Sequence, residues 1–452
     1  LMTASVAAQP EKPNLVLIIA DDLAWDDCGP FGHPHVRTPQ LDRMAKEGMV
    51  FEQAFLTISS CSPSRASLLT GRYPHQTDAE ELHWPVPGEQ VTFVEKLKEA
   101  GYWTGAAGKW HLGDAMRDRF DAIKEVDTSG FQLPANAGAD ATAKFVETTT
   151  GDAKSGCTDW VPLLRERPQE KPFFLWLAAV DPHRPYDEGI LEQPHTPAQV
   201  VLPPYHPDTP AVRRDYTLYY DEITRMDRFI GEVFQELEVQ GVAENTLVLF
   251  FSDNGRPFPR DKTTLYDSGI RTPMIARWPQ AVPAGTRCGQ LVSSVDIATT
   301  FLSLAGARVG DTFEGKDFSP LLRGGTDPVR EFVFAEKNWH DYEDKSRAVR
   351  DLEYKFIINY YSDLPLTPPA DAARSPTFQE MRRLREEGTL TPAQSTCFTA
   401  PRPQVELYHV RKDPHELTNL ATDPAHASVL QRFRSAHLTW KKKTGDKIPS
   451  LR

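Results

Sequence analysis

Three continuous apolar runs constrain this 452-residue chain more than any other feature. They are Asn14 to Ala20 (N-L-V-L-I-I-A), Pro172 to Val180 (P-F-F-L-W-L-A-A-V) and Thr246 to Phe251 (T-L-V-L-F-F). A strand with one wet face alternates apolar and polar residues; these do not. Such runs predict strands buried on both faces, in a mainly parallel sheet covered by helices. Helical stretches lie between them: Thr38-Pro39 opens one through Glu47, Val91 to Ala100 stops at Gly101, and Ala211 to Gln240 breaks at Gly241. Val50 to Phe55, Thr104 to Ala107 and Thr272 to Trp278 read as further strands, and Ser294 to Ala305 as a helix. The alternation predicts a layered α/β domain over residues 11–330.

The pattern changes after about Arg330. Glu331 to Ala335, Arg347 to Asp351, Tyr354 to Asn359 and Val405 to Val410 are short strand-like runs, and Ala427 to Lys443 is helical. They predict a smaller α+β unit over 331–452, with an antiparallel sheet and a terminal helix. Ser362 to Pro403 is polar and Pro-rich, an insertion expected to hold one short helix. From Pro182 to Pro210 there are eight prolines. That density predicts an irregular loop, which in a compact enzyme usually walls a substrate site.

A net charge of −12 argues against a nucleic-acid partner, which would need a basic stripe. It does not exclude an anionic substrate, because local fields can oppose the global sign. The five cysteines are scattered and form no C-x-x-C pair, so neither a zinc site nor a disulfide framework is predicted. No apolar run approaches the roughly 20 residues that cross a bilayer. Residues 1–10, with Val6-Ala7-Ala8, read as the remnant of a secretory signal or as an arbitrary chain start. The first reading implies an exported protein, periplasmic or secreted. The oligomeric state, a homodimer included, is left open.

Each long apolar run stops at polar groups: Asp21-Asp22, Asp181-Pro182-His183 and Ser252-Asp253-Asn254. Taken singly, Asp and Asn at strand ends are turn formers. Ligands of open α/β sheets bind at the carboxyl ends of strands. Gathered there, three carboxylates and an amide form an oxygen-donor set for calcium or magnesium and not for zinc.

Ser59 to Gly71 reads S-S-C-S-P-S-R-A-S-L-L-T-G. Pro63 sits where a helix can begin, with Ser64 to Leu69 forming its first turns beside Cys61. A helix N-terminus and the planar charge of Arg65 both suit a tetrahedral oxyanion. Alone, Cys61 reads equally as a buried structural thiol. Lys109, His111, His183 and Lys262 complete the candidates: histidine moves protons near neutral pH, and lysine offsets charge growing on anion oxygens. These residues support hydrolysis of an anionic ester or amide. They leave sulfur and phosphorus both open.

C-S-P-S-R-A-S-L-L-T-G resembles the signature of the formylglycine-dependent (type I) sulfatases, and the resemblance extends along most of the chain. Asp21-Asp22, G-K-W-H at 108–111, D-P-H-R at 181–184, S-D-N-G at 252–255 and E-L-Y-H-V-R-K-D-P-H-E-L-T-N-L-A-T-D-P at 406–424 follow in the family's order. S-D-N-G-x-P-F-P, S-P-T-F-Q at 375–379 and the late run are most similar to the heparan N-sulfatase (sulfamidase) branch. The resemblance implies an alkaline-phosphatase-like fold and Cys61 oxidised to formylglycine by a formylglycine-generating or related maturation enzyme. It implies Ca2+ held by Asp21, Asp22, Asp253 and Asn254 together with the modified Cys61. Arg65 and Lys109 would orient the aldehyde hydrate, whose hydroxyl attacks sulfur. His111 would take the proton that expels sulfate, and His183 and Lys262 would serve the leaving group. The implied substrate is terminal N-sulfoglucosamine in heparin or heparan sulfate fragments. Asp181, Arg184, Glu336 and His340 are candidates for reading the sugar. One departure stands out: sulfamidases resemble this chain through P-F-P but carry arginine where it has Lys262. Lysine there is usual among O-sulfatases, which makes an exo-acting O-sulfatase the rival expectation. A phosphodiesterase or phosphonate hydrolase with the same nucleophile is the more distant one.

Overall fold

The computed structural model describes residues 12–126 and 151–448. The N-terminal stretch read as a signal remnant lies outside these residues. Eight strands form the main sheet: β1 (Asn14–Ala20), β2 (Met49–Phe55), β3 (Trp103–Gly108), β4 (Ala122–Glu125), β5 (Phe173–Ala178), β6 (Thr246–Ser252), β7 (Met274–Arg277) and β8 (Thr286–Ser293). Their order is β4-β3-β5-β1-β6-β7-β2-β8, and β7 alone runs antiparallel to the rest. The three apolar runs are the three central neighbours β5, β1 and β6, and every residue in them is buried. β4 and β8 carry no apolar signature, since half or more of their residues keep contact with solvent, and the sequence did not predict them.

Helices cover both faces. α1 (Pro39–Glu47), α4 (Trp160–Glu166) and the 30-residue α5 (Pro210–Val239) pack on one side; α2 (Cys61–Thr70), α3 (Phe93–Glu99) and α6 (Val295–Leu304) pack on the other. The split follows the period-2 geometry of a strand. On β1, Val16 and Ile18 meet Leu41, Trp160 and Tyr219, whereas Leu15, Leu17 and Ile19 join the core of Leu68, Phe93 and Phe301. Each such aliphatic side chain contributes about 1.5–3 kcal/mol on burial, so the central strands fix the fold's register.

A second, antiparallel sheet follows: β9 (Val333–Lys337), β10 (Ser346–Arg350), β11 (Tyr354–Asn359) and β12 (Val405–His409), in the order β12-β11-β10-β9. α8 (Ala427–Thr444) packs on it, with Trp440 stacked on Phe334 at a 5.1 Å centroid separation. The sheets are joined where Glu336 N donates to Thr57 O (2.8 Å) and where Arg350 forks onto Asp267. The insertion holds two helices, Ala370–Ala373 and α7 (Pro376–Glu386), not the single one expected. Ser375 caps α7 by accepting from Phe378 N. Among the described residues no helix is long and apolar enough to cross a membrane.

Candidate active site

Register alone brings the chemistry together. Ala20 lies opposite Ser252, Ile19 opposite Ala178, and Gly108 opposite Ala178 on the other side. The segments leaving β3, β5, β1 and β6 therefore emerge along one edge, carrying Lys109, His183, Asp21-Asp22 and Asp253-Asn254. Consecutive strand residues point to opposite faces. Asp22 escapes that rule through a left-handed backbone (φ 72°), so both carboxylates serve one place. Gly108 (φ 92°) is needed for a similar reason. A Cβ there would lie 1.8 Å from Ala178 O, inside the pairing that delivers Lys109.

Helix α2 begins at Cys61 itself, with Ser60 as N-cap and Pro63 within the first turn, two to three residues earlier than the sequence suggested. All ten of its residues are buried. The Ser60 side chain makes no capping bond; its hydroxyl is hydrogen-bonded to His340 Nδ1 at 2.7 Å. Cys61 Sγ accepts from Asn254 Nδ2 (3.3 Å), and burial pushes its thiol up to about 12 against the pull of Lys109 and Lys262. As a thiol, Cys61 is not ionised at neutral pH and is a weak nucleophile.

Around it the charges interlock. Arg65, fully buried, donates from Nε to Asp253 Oδ2 (2.8 Å) and from Nη1 to Lys109 O (3.0 Å). Its Nη2 is buried without a hydrogen-bond partner among the described residues. Lys109 Nζ is bonded to Asp21 Oδ2, and Lys262 Nζ donates to Asp22 Oδ2 at 2.7 Å. Burial opposes ionisation of Asp21, but Lys109 and its cationic neighbours hold the carboxyl well below the usual range. Burial drives Asp22 up despite Lys262, and burial with Asp21 drives Asp253 up to about 6. Three buried carboxylates this close are under strong mutual repulsion, which a cation relieves.

The donor set fits a hard cation. Ligand atoms of Asp21, Asp22 and Cys61 all lie within 4.8 Å of one another. Asp21 Oδ1 and Asn254 Oδ1 are buried with no hydrogen-bond partner among the described residues. Orphaned oxygens of this kind carry a large desolvation penalty unless a ligand meets them.

Two histidines stand over the cluster. His183 Nδ1 donates to Arg184 O, which leaves Nε2 as acceptor, 3.8 Å from both Asp22 Oδ2 and Asp371 Oδ2. Burial, with Lys262 and Lys109, brings its pKa down to about 3. His111 adopts φ 54°, pairs through Nε2 with His83 Nδ1 (2.8 Å), and is held well below the usual range by burial and by Lys109. Both rings are therefore neutral at pH 7.

The structure thus brings together Asp21, Asp22, Cys61, Arg65, Lys109, His111, His183, Asp253, Asn254 and Lys262, with His340 at the rim. Three expected sugar readers are engaged by other charged or polar side chains. Asp181 is clamped by Arg225 (2.8 and 2.5 Å), and Arg184 forks onto Asp215 (2.7 and 2.8 Å) between Tyr186 and Phe258. Glu336 meets His75 at 2.6 Å. In each case a buried charge takes its nearest buried partner. Sequence reasoning also missed two residues. Asp371, from the insertion, bonds Lys262 at 3.1 Å, and His83 holds His111. Neither lies in a pattern that marks it: A-D-A-A, a one-turn helix, and L-H-W carry no motif.

A buried nucleophile position, a helix N-terminus, three cations and a cluster of oxygen donors on the carboxyl edge of a covered parallel sheet define a hydrolytic site for a tetrahedral anion. The chain belongs to the sulfatase family, whose sequence pattern matches residues 13–307. The pattern of the N-sulphoglucosamine sulphohydrolase C-terminal part matches 258–396. The chain is 31% identical to the human N-sulphoglucosamine sulphohydrolase, covering 96% of this chain and 90% of that protein. It is also 31% identical to an ulvan-active sulfatase of Formosa agariphila, covering 97% and 76%. Its fold matches the solved structure of BT4656 in complex with its substrate D-glucosamine-2-N,6-O-disulfate, with a TM-score of 0.73 at 19% identity, covering 97% and 99%. The family is the type I sulfatases, and the chain lies close to the sulfamidases within it. Its sheets are those of the alkaline-phosphatase-like fold.

Proposed function

We propose that this sulfatase hydrolyses the N-sulfate of terminal N-sulfoglucosamine in heparin or heparan sulfate fragments. In this reading Cys61 is converted to formylglycine, and calcium is held by Asp21, Asp22, Asp253 and Asn254. The observation that carries the reading is the match of 258–396 to the N-sulphoglucosamine sulphohydrolase C-terminal pattern, because that segment supplies Lys262, His340 and Asp371 to one side of the cluster. The aldehyde hydrate supplies a nucleophilic oxygen and the calcium a Lewis acid for the sulfate oxygens. The chain's own residues do the rest. Arg65, through an Nη2 that makes no hydrogen bond among the described residues, and Lys109 neutralise the charge that grows on the bound sulfate. His111 takes a proton on the nucleophile's side. The Lys262 ammonium delivers the proton that the departing nitrogen of a sulfamate must gain as its S–N bond breaks, and His183 Nε2, an acceptor in the neutral ring, orients that nitrogen through its N–H.

A second reading, an exo-acting sugar O-sulfatase, is favoured by Lys262 itself, since an ammonium at this place suits an alcohol leaving group in the resemblance described above. The deciding experiment is sulfate release from glucosamine N-sulfate and N-acetylglucosamine 6-sulfate side by side, with aldehyde content verified by intact mass. Preference for the N-sulfate supports the first reading. Turnover of the 6-sulfate alone replaces it with the second.

A further inference from the structure

Asp371 belongs to neither sheet, yet its carboxylate bonds Lys262 Nζ at 3.1 Å and stands 3.8 Å from His183 Nε2. An anion at this place opposes an anionic substrate unless the part that meets it is neutral or cationic. Beyond it, a cavity of about 220 Å3 opens between the loop after β9 and residues 364–369. Its wall carries Asp341, Glu343 and Asp344; Asp344 is taken up by Lys337 (2.7 Å) and Arg402, which leaves Asp341 and Glu343 as the carboxylates the wall presents. Tyr342 and Leu364, both well exposed, add a flat apolar surface of the kind a sugar ring lies on. The cavity lies next to the cluster. His340 lines the cavity and is bonded to Ser60 at the start of α2; Asp341 accepts from Ala370 N (2.6 Å), next to Asp371.

We propose that Asp371, together with Asp341 and Glu343, restricts this site to sugars whose only sulfate is the one being removed. The scissile sulfate enters the cationic cup of Arg65, Lys109 and Lys262. The remainder of the sugar, uncharged or bearing an amine, lies against the carboxylates and Tyr342. A second sulfate on the same sugar meets like charge and is rejected. This rests on the sulfatase reading of the cluster. It places the enzyme after the hydrolases that strip other sulfates from the same residue.

The test compares kcat/KM for glucosamine N-sulfate and glucosamine N,6-disulfate in aldehyde-bearing wild type, Asp371→Asn, Asp341→Asn and Glu343→Gln. Wild type is expected to favour the monosulfate by more than about tenfold, the scale of one repelled charge near a surface. The Asp341 and Glu343 variants are each expected to narrow the ratio about threefold, through KM for the disulfate. A wild type that takes both sugars equally, or wall variants that move both alike, overturns the proposal. If Asp371→Asn slows both sugars without changing the ratio, Asp371 only positions Lys262 and its selective role is overturned. If neither N-sulfate reacts while glucosamine 6-sulfate does, the N-sulfate reading falls, and the same ratio is decided on the 6-sulfate against the 3,6-disulfate. No turnover of any sulfated sugar overturns both.

Discussion

The two halves of the active site are built from different material. The half that meets the sulfate stands on strand ends and on a wholly buried helix, so its geometry is fixed by the sheet's register. The half that meets the leaving group stands on loops and on a one-turn helix: Asp371 from Ala370–Ala373, His340 and Asp341 from the loop after β9. The first half sets Arg65 and Lys109 among the strand-end carboxylates, and the second sets Asp341 and Asp371 beside Lys262. The lesson is a division of labour that the scaffold enforces. Chemistry common to all substrates is locked into the sheet, and selection among substrates is left to segments that can vary without disturbing it.

The comparison breaks most sharply at the shared nucleophile position. Cys61→Ala is expected to lower kcat by at least about 10^3-fold on every substrate, with the circular-dichroism melt unchanged within a few degrees because the truncation removes one atom. A fold-intact variant that still turns over substrate would remove Cys61 from the mechanism. Next, the halves should separate by leaving group. Arg65→Ala should slow a sulfamate and an activated aryl sulfate alike. His183→Ala should slow the sulfamate about 10^2-fold while sparing the aryl sulfate, whose phenolate departs without a proton. Equal losses in both variants would erase the division drawn above.

Chelation tests the sulfate half alone. With calcium at a hundred times its dissociation constant, the native state gains about 2.7 kcal/mol. Excess EDTA is therefore expected to lower the melting temperature by several degrees and to abolish turnover, both restored by CaCl2. A melt indifferent to EDTA and calcium would argue that Lys109 and Lys262 suffice as counter-charges.

The smallest effect concerns the leaving-group half. His206 Nε2 donates to Pro259 O (2.7 Å) and Nδ1 accepts from Tyr216 (2.8 Å), bracing the segment that carries Lys262. Burial, outweighing the bond to Pro259, brings its pKa down to about 3. The folded state therefore keeps His206 neutral while the unfolded chain binds a proton. Its contribution is complete above about pH 6.5 and is lost as the pH falls towards 3. Between pH 7 and 5 wild type should lose about 2 kcal/mol more stability than His206→Asn, read from urea midpoints. Parallel pH profiles would show that His206 is charged in the folded protein.

The same division explains what the sequence made legible. β1, β5 and β6 were readable because burial on both faces leaves only apolar residues, and the polar residues that follow them sit at the site for the same reason. β8 was not: it pairs with β2 at the sheet's edge, where half-exposed residues such as Gln290 and Thr286 erase the signal. Asp21, Asp22, Asp253 and Asn254 stood out because they end buried strands. Asp371 and His83 did not, because a loop residue's neighbours in space are set by tertiary packing and not by spacing. Asp181 and Arg184 are a different case. They sit in the right segment, but Arg225 and Asp215, both on α5, claim them.

Helix α2 has no wet face, and Cys61 is 2% exposed at its first turn. A second enzyme cannot grasp a residue so enclosed. The proposed maturation must then happen while the chain is still open, which sets a one-way order of events: modify, then fold. Protein that folds first stays a thiol for life, so the active fraction of any preparation records a race during synthesis. Refolded thiol protein offered to the maturation enzyme should keep its mass, while a peptide spanning 55–75 should be converted; conversion of the folded chain would show that α2 opens.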